Sequence, residues 1–422
     1  MQKNESVLLQ RVGKMVDPTS PETYQTLGGF DALRKAVTMD KPAIIEEITT
    51  AQLRGRGGAS YPAGRKWAHF FQNTETPKYI VCNADEGEPG TFKDKVLLEQ
   101  DPLSVIEGML IASYVFGVEE GFIYLRGEYR PIQGILQTAM EKAEAAGFLG
   151  KDILGISGFN FRISVFSGAG AYVCGENSAL LNSLEGKTGR PRVKPPHLAD
   201  YGLYQKPTLV NNVETFACIP PIIALGGQDF LELGTPTSGG TKLICISGHA
   251  KNRGIFEVPL GASLIDILYD NDFGGGTESG RPIGFCHLGG QSGPLAFPEQ
   301  FDVKYDYDEL KAHGLALGTG AIVVLDDQVD VVEYVQEVVR FFVDESCGKC
   351  TPCRLGTTRL YEQLGRIAKG ITGPDDIERL EMLITHITEL SACGLGQASG
   401  VAVTSALKQR KDAFASQMRK VG

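Results

Sequence analysis

Tyr79-Ile80-Val81-Cys82-Asn83-Ala84-Asp85-Glu86-Gly87-Glu88-Pro89-Gly90 is the stretch from which the fold of this chain is read. Tyr79 to Cys82 reads as a strand, and it runs directly into a turn that carries Asp85, Glu86 and Glu88 between glycines and a proline. Open parallel sheets take ligands at the carboxyl ends of their strands, so these carboxylates stand where a bound cofactor would lie. An acidic surface turn or a loop for a divalent ion accounts for the same residues without a cofactor.

Working outward, helix and strand patterns alternate. Residues 1–50 form short helices, with apolar positions at helical spacing from Phe30 to Val37, and a Gly/Arg-rich loop covers 54–65. After the acidic turn come an amphipathic helix from Pro102 to Val118, a strand from Gly121 to Leu125 and a helix from Pro131 to Ala146, with Gly147 just past its end. That alternation predicts an α/β fold, a sheet covered by helices. The segment 190–215 is rich in proline and polar residues, and Thr237-Ser238-Gly239-Gly240 reads as a connection. A hairpin of Lys242–Ser247 and Gly254–Leu260, a helix near Ser263–Tyr269 and a strand Ala321–Leu325 give the pattern of a small β-grasp (ubiquitin-like) module. From Val331 onward helical periodicity dominates and predicts a terminal bundle of three or four helices. The expected division is 1–50, an N-terminal helical segment; 51–236, a nucleotide-binding domain; 240–327, the β-grasp domain; and 330–422, the bundle.

Of 422 residues 42% are hydrophobic and 22% charged, and glycine reaches 52, which fits a folded α/β chain with many tight turns rather than a disordered one. The net charge of −10 argues against a nucleic-acid surface, which needs a basic stripe. No apolar run approaches the roughly 20 residues that span a bilayer. Met1 to Asp17 lacks the apolar core of a signal peptide, so a cytoplasmic location, with any membrane association made through partners, is expected.

Nine cysteines in a large chain without a secretion signal point to ligation rather than disulfides. Cys82, Cys174, Cys218, Cys245 and Cys286 lie in apolar or Gly-rich contexts and read as core filling. In Ser346-Cys347-Gly348-Lys349-Cys350-Thr351-Pro352-Cys353 three thiols recur at two-residue intervals, and Cys393 follows forty residues on. Such a loop can aim three sulfurs at three corners of one cube, while a helical hairpin over 354–390 returns Cys393 to the fourth. This is cysteine ligation of the [4Fe–4S] type. Zinc is the alternative, although structural zinc sites usually use two separated Cys-x-x-Cys pairs or add histidine. A cluster with no substrate group nearby is an electron carrier.

Arg54-Gly55-Arg56-Gly57-Gly58-Ala59-Ser60-Tyr61-Pro62-Ala63-Gly64-Arg65-Lys66-Trp67 has the parts of a phosphate cradle: glycines that let backbone N–H groups turn toward one anion, and charge from Arg56 and Lys66. A Gly-rich turn is more often only a turn, and the match to the usual dinucleotide fingerprint is poor. A second loop, Ser167 to Asn177, could likewise approach a cofactor closely, and Asn211-Asn212-Val213-Glu214-Thr215 offers two amides to a heterocycle or a ribityl chain. An Asn-rich turn explains the last as well.

Together the motifs Arg-Gly-Arg-Gly-Gly (54–58), Asn-Ala-Asp-Glu-Gly-Glu-Pro-Gly-Thr (83–91), Cys-Gly-Glu (174–176), Lys-Pro-Pro (194–196), Asn-Asn-Val-Glu-Thr (211–215) and Glu-Ser-Cys-Gly-Lys-Cys-Thr-Pro-Cys-Arg (345–354) closely resemble the NADH-binding flavoprotein subunit of respiratory complex I. The same family includes the diaphorase subunits of NAD(P)-linked or electron-bifurcating hydrogenases and formate dehydrogenases. The resemblance runs from about residue 25 to 410. It implies a Rossmann-like FMN domain, a β-grasp domain and a helical bundle with the cluster. It implies FMN held by Gly57, Gly58, Lys66, Asn83, Asp85, Tyr172, Gly175, Glu176, Asn211, Asn212 and Thr215, with Arg56 and Glu86 in the same loops. It also implies NAD(H) or NADP(H) stacked on the flavin, with Glu88 near the nicotinamide and Lys194 lining the pocket, and Cys347, Cys350, Cys353 and Cys393 as cluster ligands. No side chain has to act as acid or nucleophile, since the flavin converts two-electron hydride transfer into single-electron steps.

Two departures carry weight. The family usually continues Cys-Gly-Glu-Glu, whereas Asn177 follows Glu176 here; an amide does not repel a 2′-phosphate, so NADP(H) stands as an alternative to NAD(H). Where relatives often offer aromatic rings to adenine, this chain has Tyr61, His69 and His197. Some relatives also carry an N-terminal thioredoxin-like [2Fe–2S] domain and a C-terminal ferredoxin domain that this sequence lacks. A separate small [2Fe–2S] subunit and a larger iron–sulfur or catalytic subunit are therefore the expected partners. A non-catalytic electron-wire module that binds no nucleotide is the competing reading.

Overall fold

Strand β1 (Tyr79–Ala84) lies inside a four-stranded, all-parallel sheet with β2 (Glu120–Leu125), β3 (Arg162–Ser167) and β4 (Thr208–Asn212), in the order β3-β2-β1-β4. The computed structural model describes residues 6–418 apart from Thr372 and Pro374, with side chains up to Ala415. The chain steps from β1 to β2 to β3 in one direction, then crosses back to place β4 on the other side of β1. That reversal opens a crevice between the carboxyl ends of β1 and β4, the place where open sheets take ligands. Asn83 is level with Asn212 across it. β3 and β4 lie outside the strands predicted from the sequence. β3 is a short edge strand with one buried residue, its alternation limited to Arg162–Val165, and β4 ends in two asparagines.

The helix Pro102–Phe116 covers the sheet and is apolar all round because nearly every residue in it is buried. Gly108 permits its closest approach, since a Cβ there would fall 2.1 Å from the carbonyl oxygen of Phe216. Glu107, buried in the same helix, accepts from Tyr24 Oη (2.5 Å), Phe30 N (3.0 Å) and Leu33 N (2.9 Å). The carboxylate thus satisfies the free amides at the start of helix Asp31–Ala36 and docks the N-terminal helices Pro21–Thr26 and Asp31–Ala36.

The predicted hairpin is present as Thr241–Gly248 paired antiparallel with Gly254–Pro259. It belongs to a five-stranded mixed sheet in which Thr241–Gly248 also pairs, in parallel, with Ala321–Asp326, followed by Ile283–Leu288 and Leu295–Ala296. Helix Leu264–Tyr269, capped by Ser263, shares the core of this sheet. Beyond Val331, six helices lie among the described residues rather than three or four, because the Cys393 turn and Gly400 split the last stretch into Gly394–Ala398, Val401–Gln409 and Lys411–Met418. One core joins Val81 and Val210 of the parallel sheet to Phe285 and Leu325 of the mixed sheet and to Val335, Leu360 and Ile387 of the bundle. All three parts therefore meet at the carboxyl edge of β1. Among the described residues no helix is long and apolar enough to cross a membrane.

Candidate functional site

A cavity of about 510 Å³ opens where the three parts meet. The loops of the parallel sheet supply Gly57 to Ser60, Asn83, Asp85 to Glu88, Tyr172, Gly175, Glu176 and Asn212. The mixed-sheet region adds Gly289, Ser292, Lys311 and Leu315 to Thr319, and the bundle adds Gly394, Leu395 and Ala398. Gly57 and Gly58 form one wall. A Cβ on Gly57 would lie 3.0 Å from Asn212 Cβ, and Gly58 has φ +112°, so only glycine keeps this wall open.

At the β4 end, Lys66 Nζ donates to Val210 O (3.0 Å) and Asn211 Oδ1 (3.1 Å) and meets no carboxylate; burial lowers its pKa to about 8. Asn211 Nδ2 beside it is buried without a partner. A buried ammonium and an orphaned amide donor side by side fit a bound anion such as the phosphate of FMN. Asn212 Nδ2 donates to Asp94 Oδ2 (2.6 Å), and its Oδ1 accepts from Glu214 N (3.0 Å). Asp85 lines the same cavity, and its Oδ2 is buried with no partner among the described residues. Burial raises the Asp85 pKa to about 7, against the pull of Arg126.

The remaining carboxylates are held in place. Glu86 accepts from Asp94 N (2.8 Å), Lys95 N (3.0 Å) and Tyr129 Oη (3.0 Å), and burial lifts it to about 7. Glu88 accepts from Tyr172 Oη (2.5 Å) and Ser292 N (2.9 Å), with burial raising its pKa. Gly290 makes room for it, since a Cβ there would come within 2.2 Å of Glu88 Cγ. Glu176 caps helix Asn177–Leu184 through Ser178 N (2.9 Å) and Ala179 N (3.0 Å), and its other oxygen meets Lys194 Nζ at 2.9 Å. Although its partial burial raises the pKa, those donors hold Glu176 below the usual carboxylate value.

Several expected residues do not face the cavity. Arg56, expected to supply charge to the cradle, turns its fully buried guanidinium the other way, donating to Gly239 O (2.8 Å), Thr241 O (3.1 Å) and Arg54 O (3.2 Å). Its backbone N–H meets Thr215 Oγ1 at 2.9 Å, so both residues brace the loop rather than line the cavity. Asn177 Oδ1 accepts from Asn83 Nδ2 (3.0 Å) and lies behind the lining. Lys66, Asn211 and Lys194 are not on the lining either: Lys66 and Asn211 sit side by side at the end of β4, next to the lining residue Asn212, and exposed Lys194 pairs with Glu176. His69 pairs with exposed Asp200 (3.0 Å), with the His197 ring 6.5 Å away, and neither histidine nor Tyr61 is on the cavity lining. Conversely, Lys93, Asp94, Ser292 and Lys311 line the cavity without having been singled out from the sequence. Lys93 and Asp94 directly extend the Asn83–Thr91 motif, which is the signal that was available. Ser292 and Lys311 carried none.

Cys347, Cys350, Cys353 and Cys393 surround one small cavity together with Ser346, Lys349, Pro191, Ala392 and Leu395. Cys353 sits in the first turn of helix Thr351–Ala368 and Cys393 caps helix Gly394–Ala398, so the intervening helices return the fourth thiol as expected. All four are free, and the other five cysteines are free and buried. Among the described residues no three Cys, His, Asp or Glu side chains converge on a single metal ion. Four thiols around a space suit a multi-iron cluster better than one zinc, whose ligands lie about 2.3 Å from the metal. Burial, with the neighbouring thiols, pushes Cys353 up to about 11. Ionising all four sulfurs together thus calls for positive charge between them.

The Nuo51 FMN-binding domain family matches residues 48–221, and the NADH-ubiquinone oxidoreductase-F iron-sulfur binding region matches residues 333–417. An F-type subunit of the NADH-quinone oxidoreductase of Rhizobium meliloti (strain 1021) is 43% identical over 411 residues, covering 97% of this chain and 97% of the relative. NADP-reducing hydrogenase subunit HndC of Solidesulfovibrio fructosivorans is 43% identical over 95% of this chain and 80% of its own length. Among solved structures, a chain of an NAD+-reducing [NiFe]-hydrogenase in the H2-reduced state superposes with a TM-score of 0.86 at 34% identity, over 99% of this chain and 67% of that one. With its cavity and its four thiols at the matched positions, the chain belongs to the family of NADH-quinone oxidoreductase flavoprotein subunits that pair an FMN-binding domain with an iron–sulfur binding region.

Proposed function

We propose that this chain is the nucleotide-facing subunit of a multisubunit oxidoreductase, exchanging a hydride with NAD(H) in the large cavity and passing single electrons through the four-cysteine cluster to partner subunits. Bound FMN supplies the conversion between the two-electron and one-electron steps. Lys66 and the Asn211 amide would neutralise and fix its phosphate, and Gly57 and Gly58 allow its close approach. Asn83, Gly175, Glu176 and Asn212 line the cavity around it, while Glu88, set by Tyr172 and Ser292, borders the space left for the nicotinamide.

One observation carries this reading. Leu395 lines both the large cavity and the thiol cavity, and the consecutive residues Cys393 and Gly394 belong one to each. Electron transfer between two redox sites falls off steeply with distance, and two cavities that share a wall residue meet that need. Purified chain should therefore hold flavin and iron together and reduce an artificial acceptor with a nicotinamide nucleotide; iron–sulfur absorbance without flavin would favour the electron-wire reading.

NADP(H) is the second reading, favoured by Asn177, where a carboxylate would add to repulsion of a 2′-phosphate. Glu176 keeps one carboxylate on the cavity wall, and this supports NAD(H). Initial rates with NADH and NADPH separate the two, and a large preference for NADH removes the second. The partners of the proposal are a small thioredoxin-like [2Fe–2S] subunit and a larger iron–sulfur or catalytic subunit, and the proposed compartment is the cytoplasm; co-purification tests the former.

A further inference from the structure

Asp85 stands between two cavities. The residue lines the 510 Å³ cavity and also a second one of about 200 Å³, which is bounded by Pro89, Arg126, Gly170, Ala171 and Glu345. Gly87 and Tyr172 are the other residues shared by both. Asp85 Oδ2 is buried and has no hydrogen-bond partner among the described residues, unlike the other cavity carboxylates Glu86, Glu88 and Glu176. The wall of the second cavity includes the exposed residue Ala171 and Arg126, whose side chain is 26% exposed.

We propose that Asp85 carries a proton out of the nucleotide cavity into the second cavity on each turnover. The proposal rests on the flavin reading above. Oxidising one NAD(P)H breaks its C4–H bond and delivers a hydride, that is, two electrons and one proton. The two electrons leave singly through the thiol-bound cluster to the partner subunits, and the proton is left behind. A nucleotide seated in the large cavity closes that way to water, whereas the second cavity reaches Asp85 from the other side. The carboxylate takes the proton, forming an O–H bond, and releases it to water in the second cavity, which regenerates the carboxylate.

The groups facing Asp85 suit a carboxyl that changes state easily. Arg126 favours the charged form, while Glu128 beside it and Glu345 at the end of helix Val331–Asp344 oppose it. Tyr124 of β2 and Cys174 of the loop after β3 also feel its charge. Tyr172 donates to Glu88 and is not available to Asp85. Burial holds the pKa near 7, where a carrier works in both directions.

The test uses the holoenzyme with its partner or an artificial acceptor. Because Asp85 is itself among the residues expected to hold FMN, Asp85→Asn and wild type are compared per bound flavin and per iron, and flavin bleaching by NADH, which releases no proton, is timed separately from turnover. Steady-state turnover per bound flavin should fall about 100-fold or more, with a larger solvent isotope effect and recovery in millimolar formate or azide. Infrared difference spectra on reduction should show a protonated-carboxyl band in the wild type that Asp85→Asn lacks. Ala171→Phe, which fills the second cavity and leaves Asp85 intact, should slow turnover without loss of flavin. Normal turnover in either variant, or flavin loss as the whole effect of Asp85→Asn, overturns the proposal. Wild-type protein that binds no flavin would instead overturn the reading on which it rests.

Discussion

Lys242 Nζ lies 2.6 Å from Glu214 Oε2 with neither side chain exposed, and this pair ties the end of β4 to the first strand of the mixed sheet. Lys93 reaches the same carboxylate at 3.1 Å, and Glu214 Oε1 accepts from Leu243 N at 2.9 Å. Against the cost of its burial, Lys242, Lys93 and Arg56 hold the Glu214 pKa down. Lys242→Met removes one partner and leaves the carboxylate buried, so it should cost about 3–5 kcal/mol in denaturant unfolding. Pairing it with Glu214→Gln should recover part of that loss. A single variant as stable as wild type would show that the pair is not what holds the two sheets together.

Lys66 has no carboxylate partner and a pKa lowered to about 8 by burial, so an arriving phosphate dianion should hold its proton in place. The sign follows: FMN binding to apoprotein should weaken as pH rises through and above about 8, where the free lysine is neutral. Lys66→Met should weaken FMN binding about 10- to 100-fold at neutral pH, the equivalent of one charged hydrogen-bonding group, and flatten the pH dependence. Fluorescence titration of apoprotein with FMN reads both.

Tyr172 donates to Glu88 and thereby opposes the rise that burial imposes on this carboxyl. Tyr172→Phe removes that donor, so Glu88 should take up its proton at higher pH than in the wild type. The acid limb of the kcat/KM profile for the nucleotide should move to higher pH in the variant. A limb that stays where it was would mean that Glu88 does not govern it.

Cys393 and Cys286 are both free thiols in very different settings. Cys286 is buried in the mixed-sheet core, whereas Cys393 faces three other thiols. Cys393→Ser should lower the iron-to-flavin ratio sharply and leave FMN bound, and Cys286→Ser should leave the ratio unchanged. Metal analysis with flavin quantification on the same preparations decides this.

Much of this was legible because it is local. The run Tyr79–Cys82 is short, apolar and ends in a turn, so both strand and site edge could be read from consecutive residues. Three thiols in seven residues, 347–353, need little tertiary information either. What could not be read was direction and convergence. Arg56 lies within the glycine loop, yet its side chain turns toward backbone carbonyls of Gly239 and Thr241, a choice made by residues over 180 positions away. Lys311 and Ser292 reach the cavity only because the mixed sheet packs against the parallel one. β4 was hidden because a strand ending in Asn211-Asn212 gives its polar residues to the site rather than to an alternating pattern.

The central claim is that one cavity and one set of thiols, with Leu395 on the wall of both, work as a single electron path. Anaerobic titration of the purified chain with NADH, followed by optical and electron paramagnetic resonance spectra, tests it directly. The account predicts that flavin absorbance bleaches and that the signal of a reduced [4Fe–4S] cluster grows in the same titration. Bleaching with no electron ever reaching iron, or zinc in place of iron at the four cysteines, would contradict it.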